Sequence, residues 1–279
     1  MRFRYLAEQI FFRPWFITPE GHASIRLVFE RALASGLLEP RGAELNILDM
    51  FPKRRPMSID AETGIASIHI MGPLGKNLSK MEQSCGATSF EQIDEDYAKA
   101  QSQGARGIFL DFDSPGGTTH GTPERAALIA SKPLPTVAYT EDVMASAAYY
   151  LASGADMIVA SPSAIVGSIG TYIPWADTSE QYARAGIKPD PIVSAGSDLK
   201  ATGFGGSLTE SQREHLQAEV DQLNGDFKTH IRNHRAVGDA AMRGQTMTGK
   251  AALNANLIDR IGDRATAFAA LAQTLAKAA

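Results

Sequence analysis

The sequence is poor in the residues and runs that mark several classes of protein. Cys85 is the single cysteine among 279 residues, so no disulfide can form within the chain, and a reducing compartment is compatible with this. No apolar run reaches the length of about 18 residues that a transmembrane helix needs. The N-terminus also lacks the continuous apolar core of a signal peptide. We expect no membrane anchor and a cytoplasmic location.

A surplus of positive charge is absent as well. The chain carries 27 basic and 31 acidic residues, for a net charge of −4. No basic stripe suggests a nucleic-acid partner. The one dense basic run, Lys53-Arg54-Arg55 before Pro56, is interpreted as a solvated linker. We expect no nucleic acid, no metal and no cofactor.

One stretch, Asp142 to Tyr172, combines small residues with candidate chemistry. The run Ala145-Ser146-Ala147-Ala148 predicts a helix that begins close to Ser146, with Asp142 as its cap. A serine in such a first turn lies among unpaired N–H groups, which stabilise a developing oxyanion. The alternative is that Ser146 is one more small residue at a tight helix–strand contact.

A second motif, Ser114-Pro115-Gly116-Gly117, follows the apolar strand predicted at residues 107–112. Two glycines at the end of a strand can turn backbone N–H groups toward a bound carbonyl. The functional interpretation is an oxyanion hole, with Gly116 or Gly117 as one donor and the Ala147 N–H as the other. The alternative is an ordinary turn.

A serine nucleophile needs a base, and histidine, the usual base, is absent from the sequence near Ser146 on both sides. None of the six histidines lies between residues 121 and 214, and His120 alone stays in reserve. A lysine can act as the base if desolvation lowers its pKa from about 10.4 toward neutrality. Lys200 stands in a glycine-rich loop and is the better candidate, whereas Lys188 lies at a predicted surface turn.

Strands that alternate with helices predict an α/β protein with a largely parallel sheet. The pattern predicts strands at 64–71, 107–112, 134–140, 156–160 and 190–194, and helices at 90–103, 122–131, 177–185, 209–235 and from residue 265. Thr18 caps a helix with Pro19 at its first position, whose apolar stripe (Ile25, Val28, Phe29, Ala32 and Leu33) needs a partner. Residues 74–89 are predicted to be a mobile loop, and 195–207 a loop with four glycines.

Four motifs in order resemble the signal peptide peptidase A family of serine peptidases. They are Ser-Pro-Gly-Gly at 114–117, Met-Ala-Ser-Ala-Ala-Tyr-Tyr-Leu-Ala-Ser at 144–153, Val-Gly-Ser-Ile-Gly at 166–170, and Ser-Ala-Gly-Ser-Asp-Leu-Lys at 194–200. The resemblance runs from about residue 64 to 263.

The resemblance implies roles for individual residues. The catalytic serine of the family falls on Ser146, its general-base lysine on Lys200 and its oxyanion turn on Gly116 and Gly117. Ser168 matches the serine that helps to orient the lysine. In single-domain members of the family, the resemblance implies that serine and lysine meet across a subunit boundary, so a homo-oligomer is expected.

The resemblance also implies the ClpP/crotonase-like fold of repeated ββα units. We expect an N-terminal helical extension at 1–55, the peptidase domain at 56–264 and a C-terminal helical tail at 265–279.

The segment from Arg13 to Glu20 resembles the phage and prophage branch of this family, the minor capsid protein C type of head-maturation protease. The predicted function is therefore a serine endopeptidase with a Ser146–Lys200 dyad that acts on capsid or scaffold proteins, in the host cytoplasm or the prohead. The alternatives are a cellular housekeeping protease of the same family, an inactive structural protein of capsid assembly, and a crotonase-type acyl-CoA enzyme.

Overall fold

Short strands and helices alternate through the part of the chain that the computed structural model describes, residues 13–34, 54–84, 86–131 and 133–278. The strands are β1 Trp15–Ile17, β2 Ser58–Ile59, β3 Ile65–Met71, β4 Leu74–Gly75, β5 Thr88–Ser89, β6 Gly107–Ser114, β7 Gly116–Thr118, β8 Thr136–Ala145, β9 Met157–Ala160, β10 Ile165–Gly167, β11 Thr246–Thr248 and β12 Arg260–Ile261. The helices are α1 Pro19–Ala34, α2 Lys80–Ser84, α3 Phe90–Ser102, α4 Thr122–Ser131, α5 Ala147–Ala152, α6 Ser179–Arg184, α7 Glu210–His234, α8 Gly249–Asn254 and α9 Arg264–Ala278.

The larger sheet has the strand order β11-β10-β8-β6-β3-β2. Its central pairs, β3 with β6, β6 with β8 and β8 with β10, are parallel, as the alternation of strands and helices predicts. The first half of β8 pairs with β9, and its last residues pair with β10. The end of β8, where Ser146 follows, therefore lies between β6 and β10.

The smaller sheet has the order β1-β7-β4-β5. Its strands β4 and β7 each follow directly on a strand of the larger sheet, and each is followed by helices. This is the repeated ββα unit of the predicted ClpP/crotonase-like α/β fold, which is confirmed. The unit matters for function because it carries the chain from β6 straight into the glycines of β7.

Local signals set the ends of several helices as predicted. The Thr209 hydroxyl accepts the Gln212 N–H while the Gln212 side chain accepts the Thr209 N–H, which is a capping box at the start of α7. The Thr18 hydroxyl accepts the Gly21 N–H at 3.1 Å at the start of α1. Because these bonds join residues three apart, the sequence alone is enough to predict them.

The core lies on both faces of the larger sheet. Helix α5 is wholly buried on one face, and α9 covers the other through Ala267, Leu271 and Leu275. Arg235, after the end of α7, donates to the Ser153 carbonyl at 3.2 Å and to the Asp259 carboxylate at 2.7 Å. The helix that follows Ser146 is thereby fixed at its far end.

Several local predictions are wrong. Asp142 does not cap a helix, because β8 continues through it to Ala145. The predicted loop at 74–89 contains β4, α2 and β5, and β4 pairs with both β7 and β5. Residues 190–194 form no strand and are mostly exposed. Arg54 is not a free linker residue, since its guanidinium bonds the His69 carbonyl and the Asp96 carboxylate.

Some predictions fall outside the described residues. They concern Cys85, most of the extension at 1–55, and the side chains of Val28, Phe29, Ala32 and Leu33. Within the described residues, none of the helices combines the length and apolar character needed to cross a bilayer.

Candidate active site

Ser146 lies at the junction between the end of β8 and the start of α5. Its backbone has φ +54° and ψ −116°, in a region that non-glycine residues seldom adopt. Its N–H donates to the Gly167 carbonyl at 2.7 Å, and its carbonyl accepts the Tyr150 N–H at 2.8 Å. Strand β10 and helix α5 therefore hold the strained backbone in place.

The hydroxyl of Ser146 is buried and unpaired. The residue is 0% exposed, and its Oγ atom has no hydrogen-bond partner among the residues that the structure describes. An unsatisfied buried hydroxyl costs about 1–3 kcal/mol, and a strained backbone costs a similar amount. A serine kept only for packing would gain nothing from either cost.

Gly116 lies directly against this serine. It has φ +108°, and a Cβ atom placed on it would lie 3.0 Å from the Ser146 Cβ and 2.2 Å from the Phe16 carbonyl oxygen. A Cβ atom on Gly117 would lie 2.0 Å from the Leu74 carbonyl oxygen. Both positions need glycine, because β7 runs so close to its neighbours that no side chain fits.

The two backbone N–H groups of the glycine pair differ in their surroundings. The Gly116 N–H donates to the Ser114 hydroxyl at 3.2 Å, and that hydroxyl donates to the Gly72 carbonyl at 2.6 Å. Gly117 belongs to the ladder between β7 and β1. Ala147 is the first residue of α5, so its N–H has no acceptor within that helix.

Ser168 lies near Ser146 because it directly follows β10, the strand that bonds the Ser146 backbone. It follows Gly167, whose carbonyl accepts the Ser146 N–H, and it is 5% exposed. Its φ is +55°, and its N–H donates to the Gln245 carbonyl at 2.8 Å. Ser146, Gly116, Gly117, Ala147 and Ser168 thus come together around the end of β8.

Lys200 is not part of this group within one chain. It lies in a 3-10 helix, Asp198–Ala201, that contacts α7, and its side chain is exposed. Since the Ser146 hydroxyl has no partner among the described residues, the Lys200 amine does not bond it. The segment around Lys200 carries exposed apolar side chains: Tyr182, Ile187, Ile192, Val193, Leu199 and Phe204.

The histidines do not supply a base to Ser146 either. His120 is exposed and its Nδ1 lies 3.3 Å from the Thr119 hydroxyl. His69 is buried, with its Nδ1 at 3.1 Å from the Asp111 carboxylate. Burial would raise the pKa of Asp111, but the hydrogen bonds from His69 and Arg264 lower it.

Four aromatic side chains form a cluster next to α5 that no sequence motif predicts. The Phe16 ring lies 5.8 Å from the Tyr150 ring and 4.8 Å from the Phe227 ring, between centroids. His230 stacks on Tyr150 at 4.2 Å, and burial, with a smaller effect of His234, lowers the pKa of His230 to about 4. These residues come from β1, α5 and α7, so only the folded chain brings them together.

The sequence is similar to curated phage proteins. It is 27% identical over 219 residues to the head-tail preconnector protein GP5 of Enterobacteria phage P21, covering 76% of this chain and 43% of that protein. It is 24% identical over 228 residues to the capsid assembly protease C of Escherichia phage lambda, covering 80% of this chain and 52% of that protein. The chain spans about half the length of these curated relatives.

Among solved structures, a ClpP1 mutant from Listeria monocytogenes aligns with 71% of this chain and 92% of its own, at 11% identity and a TM-score of 0.47. The model of Peptidase family S49 matches residues 129–278, which is more than half of the chain and includes Ser146 and Lys200. The chain belongs to peptidase family S49.

Proposed function

We propose that the protein is a serine endopeptidase with Ser146 as its nucleophile. The observation that carries the proposal is the Ser146 side chain itself: buried, on a strained backbone, with an unpaired hydroxyl, and against Gly116, where a backbone passes at close range. Strain and unmet hydrogen bonds are typical of residues kept for chemistry rather than for stability. Membership of family S49 supports the same assignment.

In the proposed reaction the neutral amine of Lys200 removes the proton from Ser146 as its Oγ attacks a peptide carbonyl. The oxyanion is held by two backbone N–H groups. The Gly116 N–H donates to Ser114 Oγ of its own turn, so we assign the donors to Ala147 and to Gly117, whose N–H is available when β1 does not pair with it. The protonated lysine then donates to the leaving amine, and water hydrolyses the acyl-enzyme.

The lysine reaches the serine across a subunit boundary in this proposal. Lys200 is exposed and does not bond the Ser146 of its own chain. The exposed apolar side chains around it, from Tyr182 to Phe204, form the kind of surface that a second copy of the chain would cover. Ser168, buried close to Ser146, is proposed to orient the arriving amine.

The proposed substrate is a capsid or scaffold polypeptide of a phage. The support is the similarity to the capsid assembly protease C of phage lambda and to the head-tail preconnector protein of phage P21. A substrate chain would lie extended along the edge of β7 that β1 occupies, since Gly116 of that strand lies against Ser146.

Hydrolysis of a denatured, fluorescently labelled protein tests the nucleophile and the base. Ser146→Ala and Lys200→Ala should each lower the rate by at least about 10³-fold, because the covalent step then lacks its nucleophile or its base. The matched controls are Ser211→Ala and Lys188→Ala, which change exposed residues of the same kinds. Turnover by Ser146→Ala at the wild-type rate would refute the proposal.

A further inference from the structure

Strand β1 runs beside Gly116, the glycine that lies against Ser146. It pairs antiparallel with β7, with Ile17 opposite Gly116 and Phe16 opposite Gly117. On its other side Trp15 exchanges two backbone bonds with Tyr172, at 2.9 and 3.4 Å. The segment is therefore held along both edges, as an extended peptide is held when it adds to a sheet.

The backbone of this segment occupies a proposed oxyanion donor. The Thr18 N–H donates to the Pro115 carbonyl at 3.0 Å, and bonded pairs alternate with unbonded pairs in an antiparallel ladder. The Phe16–Gly117 pair, two residues along, is therefore a bonded pair in which the Gly117 N–H points to the Phe16 carbonyl. The Phe16 oxygen and the Ser146 Cβ also flank the same side of Gly116.

The side chain of Phe16 fills a pocket beside the nucleophile. It is 1% exposed and packs against both Tyr150 of α5 and Phe227 of α7, whose rings also contact each other at 4.7 Å between centroids. Tyr150 lies one turn after Ser146 on the same helix, so the pocket and the nucleophile are fixed by one element. Two aromatic rings side by side favour a third aromatic ring packed against them at such centroid distances.

From these contacts we infer that residues 14–18, which we call the occluding segment, occupy the substrate-binding groove beside Ser146 as an internal pseudo-substrate. Phe16 takes the position of the residue whose carbonyl is attacked, and the pocket of Tyr150 and Phe227 selects an aromatic side chain there. The inference rests on the proposed function, since it states which peptide enters the same site. It adds that the groove accepts a substrate only after the occluding segment leaves.

The alternative is a permanent structural strand. Such a strand would take the Gly117 N–H from the oxyanion hole and leave the Ser146 side chain 0% exposed. The two interpretations differ in one measurable property, which is whether a free peptide with the same sequence can replace the segment.

Peptide binding to the full-length chain with Ser146→Ala makes that measurement without any need for catalysis. The probe is a fluorescein-labelled peptide with the sequence of residues 13–20, RPWFITPE. We expect the added change Phe16→Asp to expel the occluding segment and to strengthen peptide binding at least tenfold, measured by fluorescence anisotropy. The matched control is Leu27→Asp on α1, a half-exposed position outside the groove, which should leave binding as weak as before.

A second peptide, with aspartate in place of its phenylalanine, should bind at least tenfold more weakly than RPWFITPE to the Phe16→Asp chain. Equal binding with and without Phe16→Asp, or equal binding of the two peptides, would overturn the inference. Phe16→Ala should also strengthen peptide binding, by a smaller factor. If the Phe16→Asp chain does not melt cooperatively, the binding measured with Phe16→Ala tests the inference instead.

The two proposals fail separately. If peptide exchange occurs but Ser146→Ala does not reduce hydrolysis, the proposed function is wrong and the groove assignment stands. If hydrolysis depends on Ser146 but the peptide never exchanges with the segment, the pseudo-substrate inference alone is wrong.

Discussion

At the scale of single residues, the site depends on positions whose backbone angles few residue types adopt. Ser146 and Ser168 both have positive φ angles although neither is glycine. The motifs predict that these serines are functional residues. No sequence pattern predicts their strained φ angles, because the packing of β8, β10 and α5 against them imposes those angles. The clash distances at Gly116 likewise appear only in the folded chain.

Gly116→Ala should destabilise the protein by about 2 kcal/mol or more, because it adds a clash to a strained φ angle. The new Cβ would lie 2.2 Å from the Phe16 carbonyl oxygen and 3.0 Å from the Ser146 Cβ. Gly104→Ala is the matched control, since its φ is +77° but no atom lies within 4 Å, and it should cost only about 1 kcal/mol. Urea denaturation measures both, and equal costs would contradict the packing of β7 against β1.

At the scale of elements, the sequence predicts what is local and misses what depends on distant pairing. The capping box of Thr209 and Gln212 and the helix at 122–131 are correct because their signals lie within a few residues. Strand β1 has three residues, too few for an alternating pattern, and it forms because β7 and Tyr172 are there to pair with it. Asp142 extends β8 for the same reason, since β6 and β10 continue beside it.

The stacking of α7 on α5 predicts a dependence on pH. Because burial lowers the pKa of His230 to about 4 from 6.5, the unfolded chain binds more protons than the folded chain between those values. Stability should therefore fall as the pH falls from 6.5 to 4. His230→Phe keeps a ring on Tyr150 and should reduce this loss, whereas His215→Phe, at an exposed position of the same helix, should not.

Urea unfolding midpoints across that pH range give the measurement. The difference between the His230→Phe protein and the wild type should change steadily between pH 6.5 and pH 4 and stay constant above pH 7. A wild-type protein and a His230→Phe variant with parallel pH profiles would show that His230 is not buried against Tyr150.

At the scale of the whole molecule, the α/β class and the order of the main elements could be predicted from the sequence pattern, whereas the ββα unit is implied only by the resemblance to a known family. The apolar run at 190–194 predicts a strand, and this prediction is wrong because a sequence pattern does not reveal whether a pairing partner lies beside it. In the folded chain these residues stay exposed, with Ile192 at 100%. The same limit applies to Lys200, whose motif predicts a role but whose amine does not bond the Ser146 hydroxyl of its own chain.

Mixing two inactive variants tests whether the site is shared between copies. If Lys200 acts on the Ser146 of a neighbour, co-refolded Ser146→Ala and Lys200→Ala chains should recover about one quarter of the wild-type rate, as random assembly implies. Ile192→Asp, which places a charge on the exposed apolar surface, should reduce assembly and activity together. An inactive mixture that nonetheless forms mixed oligomers would contradict the shared site.

Covalent labelling with a fluorophosphonate, followed by peptide mapping by mass spectrometry, tests directly whether Ser146 is the nucleophile and Lys200 its base. The reagent reacts with a serine hydroxyl only where a base activates it and an oxyanion is stabilised. We expect one adduct, on Ser146, with labelling greatly slowed by Lys200→Ala and unchanged by Lys188→Ala. An adduct on any other serine, or labelling of Ser146 that Lys200→Ala leaves undiminished, would contradict these assignments.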